Sequence, residues 1–150
     1  SKRVIQNSLS VQNRFYVLNN TVLPAANARI LRMTEKKYTW HKIADDIKEI
    51  DFKSNNIAVA ETGNKKICLA KFKEELFAFA NKCPHAGGIL ADGYIDALGT
   101  VVCPLHRYKF KMENGRNVTG EGYYLKHWPV RIEATGVYVG FETGGIFNWL

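Results

Sequence analysis

The sequence predicts an all-β domain, a sandwich or small barrel, and three observations lead there. From Tyr38 onward, short apolar runs of strand length alternate with clusters of turn residues. Val130-Arg131-Ile132-Glu133 and Val137-Tyr138-Val139-Gly140 alternate on either side of a short turn containing Gly136, the pattern of a hairpin. There are no internal repeats or low-complexity tracts that would signal a solenoid or a disordered chain.

Taken in order, strands are predicted at 38–43, 56–61, 66–72, 76–80, 100–103, 108–112, 129–133 and 137–141. Tyr38, Thr39 and Trp40 open the first of these with β-forming side chains, and Ile67-Cys68-Leu69-Ala70 gives the third a continuous apolar run. Thr62-Gly63-Asn64, Lys73-Glu74-Glu75, Glu113-Asn114-Gly115 and Thr135-Gly136 punctuate them. A short helical turn is expected over 44–50, with Asp45 and Asp46 near its start, where the helix dipole favours acids. Trp40, Trp128, Tyr94, Phe77 and Phe79 read as packing aromatics.

With 150 residues and 46% hydrophobic content the chain has enough apolar surface for one compact core. Three cysteines give no disulfide framework, which predicts a reducing compartment. Lacking a run of about eighteen apolar residues, the sequence predicts no membrane-spanning helix. Its formal charge of +7 is unevenly placed, because Lys2, Arg3, Arg14, Arg29 and Arg32 precede the first acid, Glu35. The excess therefore belongs to the leader, and nucleic-acid binding is not expected of the nearly balanced remainder. Residues 1–37 read as a basic leader, acid-free over 1–34 as a transit peptide is, or as non-native sequence, or else as an added hairpin of 14–18 and 21–23 around Asn19-Asn20. The expected location is cytoplasmic, or an organelle matrix if the leader is a transit peptide.

Chemistry concentrates in two segments, Cys83-Pro84-His85 and Cys103-Pro104-Leu105-His106, with seventeen residues between His85 and Cys103. Each supplies one thiolate and one imidazole, the donor set of a 2Fe-2S cluster with one iron on two cysteines and the other on two histidines. Neutral imidazoles make such a site less negative than an all-cysteine one, so it accepts an electron more easily. Pro84, Gly87, Gly88 and Pro104 supply the tight turning that brings donors so close in sequence toward two irons. Two Cys and two His also suit tetrahedral zinc, so a zinc-stabilised binding module is the alternative reading of these residues. Cys68 sits inside an apolar run and reads as core packing, and His41 and His127 read as surface or packing residues.

The pattern C-x-H, seventeen residues, C-x-x-H, with Pro104 and Gly87-Gly88, resembles the Rieske 2Fe-2S ferredoxin family over about residues 38–141. The resemblance implies an antiparallel β-sandwich base over 38–150 with an inserted cluster-binding lobe at about 81–112. It implies that Cys83, His85, Cys103 and His106 bind one 2Fe-2S cluster per chain. In quinol-oxidising relatives a disulfide joins the two loops, but the matching positions here are Gly88 and Leu105. The Ser and Tyr that hydrogen-bond sulfur in those relatives are here Tyr108 and Phe110. Fewer such bonds predict a potential at the low end of the Rieske span, about −150 mV, as in soluble oxygenase-linked members. Arg107 replaces a common Gly and Lys111 a common Asp, and both are expected to add positive charge near the cluster.

These readings imply a one-electron carrier, not itself an enzyme, that takes electrons from a reductase and hands them to an oxygenase or another reductase component. The sequence has no Gly-rich dinucleotide fingerprint and only about nine residues after the last predicted strand, too few for a second iron domain. The alternative within the family is the small Rieske-like subunit of a nitrite-reductase-type complex.

Overall fold

The computed structural model describes residues 15–18, 21–24 and 36–143. The chain divides into two units, Ser1–Lys36 and Lys37–Leu150. In the first, β1 (Phe15–Leu18) pairs antiparallel with β2 (Thr21–Pro24), Leu18 opposite Thr21. This is the hairpin pairing expected around Asn19-Asn20; the rest of the leader lies outside the described residues.

The second unit contains β3 (Lys37–Ala44), β4 (Ile57–Thr62), β5 (Lys65–Phe72), β6 (Glu75–Ala80), β7 (Tyr94–Ile95), β8 (Thr100–Val102), β9 (Lys109–Lys111), β10 (His127–Trp128), β11 (Val130–Glu133) and β12 (Gly136–Thr143). All eight strands expected from the sequence are present within a residue or two. The two-residue strands β7 and β10 were not expected, because two residues carry no periodicity to read. Every pairing is antiparallel, and no α-helix occurs among the described residues. The expected turn over 44–50 is a 3-10 helix at Ile47–Glu49, whose first turn is capped by the Asp46 carboxylate accepting from the Lys48 N–H at 2.8 Å.

Three sheets form this unit, in the orders β10-β6-β5-β4, β11-β12-β3 and β7-β8-β9. The first lies between two cores, and β5 shows why its sequence is apolar without interruption. Cys68 and Ala70 face one cluster with Phe79, Leu90, Val101 and Phe110, while Ile67 and Leu69 face another with Trp128, Val139 and Phe141. A strand covered on both faces needs apolar residues at every position. Cys68 is fully buried, as its run suggested; burial pushes its thiol up to about 12, and it donates to Asn81 Oδ1 at 3.2 Å.

One packing expectation fails. Tyr94 is 42% exposed, because β7 is only two residues long and its alternation turns Tyr94 outward.

The third sheet and the first core are joined at Phe110, which pairs with Val101 and is fully buried. Phe110→Ala is expected to cost about 3–5 kcal/mol, the transfer and cavity terms for a buried aromatic ring. Denaturant unfolding followed by Trp fluorescence measures it, and a loss below about 1 kcal/mol would show that the third sheet is not packed through this ring.

Candidate metal centre

The two predicted donor segments form two loops of one design. In the first, the Cys83 N–H donates to the Gly88 carbonyl at 2.8 Å and the Gly87 N–H donates to the Cys83 carbonyl at 2.9 Å. In the second, the Cys103 N–H donates to the Tyr108 carbonyl at 2.9 Å and the Arg107 N–H to the Cys103 carbonyl at 3.0 Å. Each loop is thus closed by a bond to the residue five positions on and another from the residue four positions on. Gly87 (φ 69°) and Arg107 (φ 63°) occupy equivalent left-handed positions. Glycine reaches that conformation freely, whereas a side chain costs roughly 1–2 kcal/mol, so Arg107 stands where the backbone would favour Gly.

Long-range contacts hold the loops in place. The Leu90 N–H donates to the Asn81 carbonyl at 2.8 Å, and a Lys82–Ile89 bridge closes the base of the first loop. Asn55 Nδ2 donates to the Ala91 and Gly93 carbonyls at 3.0 and 2.9 Å, tying the 3-10 turn Leu90–Asp92 to the start of β4. Asp96 accepts from the Leu98 and Thr100 N–H groups, each at 3.0 Å, and from Lys109 Nζ at 3.3 Å, fixing the turn that leads into β8.

These supports sort the four donors by depth. Cys83 and Cys103 are 4% and 2% exposed and belong to the first core, while His85 is partly buried and His106 exposed. The imidazole centroids lie 4.9 Å apart. A Cβ on Gly88 would come within 2.8 Å of Cys103 Sγ and 3.1 Å of Leu105 Cβ, so the loops meet there. The two positions that hold the inter-loop bridge in quinol-oxidising proteins therefore face each other here as Gly88 and Leu105.

Burial pushes the Cys83 thiol up, and the neighbouring Cys103 thiol pushes in the same direction, while the backbone N–H groups of His85 and Ala86 oppose them. A pair of buried sulfurs, one of them with amide donors aimed at it, suits a bound cation that supplies positive charge. Two buried sulfurs and two outward-lying imidazoles are the donor types taken by a binuclear group with one pair on each metal.

A Rieske 2Fe-2S domain model matches residues 39–126, more than half of the chain. The chain belongs to the Rieske 2Fe-2S domain family. Its cofactor is accordingly a 2Fe-2S cluster, and the donor set described above fits one. Among relatives, the ferredoxin component of the alkene monooxygenase system of Xanthobacter autotrophicus is 25% identical over 104 residues, spanning 65% of this chain and 85% of that protein. The ferredoxin of carbazole 1,9a-dioxygenase from Nocardioides aromaticivorans superposes with a TM-score of 0.58 at 19% identity, covering 67% of this chain and 96% of that one. A Mycobacterium tuberculosis protein assigned as an NADH-dependent nitrite reductase small subunit gives 0.59 at 16% identity, over 70% and 96%. The last two likenesses establish the Rieske ferredoxin fold.

Residues that the Rieske pattern led us to single out take different places. Tyr108 lies with its ring 4.3 Å from that of His85, so here it packs against an imidazole. Phe110 is buried beneath the second loop. Arg107 stands exposed in the second loop, and the Lys111 ammonium is 4.0 Å from the Glu113 carboxylate, lining a groove of about 340 Å³ with Phe72, Leu98 and Met112. His41 packs edge-on against Phe141, and His127 lies in β10 opposite Phe79. Tyr123, which the sequence reading passed over, has its ring 5.3 Å from His85 and 6.0 Å from Tyr108. Only its aromatic character within Gly122-Tyr123-Tyr124 could have drawn notice.

Proposed function

We propose that this protein carries single electrons on a 2Fe-2S cluster held by Cys83 and Cys103 on one iron and by His85 and His106 on the other. In this reading it receives electrons from a reductase and passes them to an oxygenase or a similar acceptor. The observation that carries the proposal is the pairing of two hydrogen-bonded loops of one design, which put buried sulfurs beneath outward-lying imidazoles. Such a cluster supplies reversible one-electron reduction at a potential raised by imidazole ligation. The residues around it do the rest. The amides of His85 and Ala86 favour negative charge on the Cys83 sulfur, the first core keeps water from the sulfur side, and the imidazoles face the solvent side.

The similarity to a monooxygenase ferredoxin component favours a carrier, and the presence of all four donors favours it over a cluster-free subunit. We place the cluster-binding lobe at residues 81–112, with 113–126 packed on it through the Phe110–Asn117 bridge, and assign no electron-transfer role to residues 1–36. No helix among the described residues is long and apolar enough to cross a membrane.

Protein purified after iron-replete expression should be coloured, take up one electron per chain, and give a rhombic reduced-state signal with average g below that of an all-cysteine cluster. Colourless protein with stoichiometric zinc would refute the proposal.

Docking follows from the same geometry. Leu105 is 55% exposed beside His106, and Arg107 is exposed next to it, so an acceptor approaching the imidazoles meets an apolar side chain flanked by a cation. Arg107→Glu is expected to slow association with an acidic acceptor by roughly tenfold at low salt, an effect that shrinks as screening sets in. Stopped-flow oxidation by the acceptor across an ionic-strength series measures it. Deleting residues 1–34, which stops short of β3, should leave that rate unchanged. A rate that ignores Arg107→Glu but falls on truncation would move the docking surface to the leader.

A further inference from the structure

The two imidazoles are not equivalent, and the cause is a segment far from both in sequence. Tyr108 and Tyr123 stack on one another at 30° with centroids 6.0 Å apart, and the His85 ring lies against both, 4.3 Å from Tyr108 and 5.3 Å from Tyr123. His106 lies farther off, 6.3 Å from Tyr108, and it is exposed where His85 is partly buried.

The segment that delivers Tyr123 is built to hold its shape. Asn117 Oδ1 accepts from the N–H groups of Thr119, Gly120 and Glu121 at 3.0, 2.8 and 3.2 Å, winding the turn around one side chain. Bridges Phe110–Asn117 and Arg116–Tyr124 bracket it, and the Leu125 N–H donates to the Gly115 carbonyl at 2.8 Å. Tyr123 itself is 37% exposed and makes no part of either core, so its packing partners are the rings at the site.

We propose that Tyr123, backed by Tyr108, is a positioning residue that fixes the His85 ring and withholds its edge from a docking partner, leaving His106 as the ligand a partner meets. The inference rests on the ligand assignment above. Aromatic contacts at these separations are enough to favour one ring orientation several-fold. Two tyrosines packed on one imidazole narrow a partner's access to it, so electrons leave mainly by the more exposed His106.

The test uses the full chain with its cluster, in Tyr123→Phe, Tyr123→Leu and Tyr123→Ala forms. Pulsed electron paramagnetic resonance of the reduced protein reads the two ligand nitrogen couplings. In Tyr123→Leu and Tyr123→Ala one coupling should broaden or shift while the other stays, and in Tyr123→Phe both should stay, because the ring acts and the hydroxyl does not. Oxidation of the reduced protein by hexacyanoferrate(III) should accelerate by about twofold in the Leu and Ala forms, as two edges rather than one become open to encounter. The midpoint potential near neutral pH should rise in the same two forms, because water admitted beside the histidines stabilises the more negative reduced state. Couplings, oxidation rate and potential unchanged in both the Leu and Ala forms would overturn the role of Tyr123. Absence of the 2Fe-2S spectrum in the unaltered protein would instead overturn the ligand assignment.

Discussion

Cys83→Ser is expected to abolish the visible bands and the reduced-state signal while leaving the strand content intact. The sulfur is 4% exposed and sits in the first core, where solvent cannot substitute for it as a ligand. A serine hydroxyl is a harder donor and far less acidic than a thiol, and burial already pushes the Cys83 thiol up, so an alkoxide there is less accessible still. Cys68→Ala is the control. That side chain points into the same core from β5 but lies outside both loops, so the variant should lose some stability and keep its cluster. Iron and sulfide content per chain, with circular dichroism for the fold, separates the outcomes. Full cluster content in Cys83→Ser would remove Cys83 from the ligand set. Because metal binding couples to folding, the Cys83→Ser protein should also unfold at lower denaturant than the loaded wild type.

Gly88→Ala should deplete the cluster severely, and Gly87→Ala should not, although the two glycines are adjacent. The first would place a methyl group 2.8 Å from Cys103 Sγ, closer than carbon and sulfur tolerate, and 3.1 Å from Leu105 Cβ, where the neighbour must give way. Something must shift, and what shifts is a candidate ligand or the loop that carries it. At Gly87 a Cβ meets nothing within 4 Å, so the substitution costs only the left-handed conformation, φ 69°, roughly 1–2 kcal/mol. Arg107 already occupies the equivalent position in the other loop at φ 63°. Iron content on purification, and the rate of iron loss to a chelator, should therefore separate the two variants by tenfold or more on the order of 1.4 kcal/mol of site destabilisation. Equal retention would mean that the loops do not approach one another through Gly88.

The eight strands were legible because each is long enough for its apolar pattern to show, and each is bounded by residues such as Gly63, Asn114 or Gly136 that mark turns. The candidate donors stand out because ligand chemistry at a metal site is written as short spacing. Cys83 with His85 and Cys103 with His106 are local pairs, and a local pair needs only a turn to bring it together. Even the unbroken apolar run of β5 held information, since a strand buried on both faces has no polar side to display.

What the sequence could not determine are the relations between segments distant along the chain. Tyr94 read as a packing residue by type, yet it is exposed, because a two-residue strand leaves one of its sides uncovered. Lys111 was expected to add positive charge near the cluster, and its ammonium stands beside the Glu113 carboxylate, a pairing that sequence spacing alone did not show. Tyr123 stands thirty-eight positions after His85 and reaches its ring only because Asn117 winds the intervening turn and β9 pairs where it does. By itself, then, the sequence determined the strands, the family and the four candidate ligands, all carried by local pattern and spacing. Only the tertiary structure decided how deep each donor lies and which imidazole is shielded, because depth and shielding depend on which distant side chains fill the space around a group.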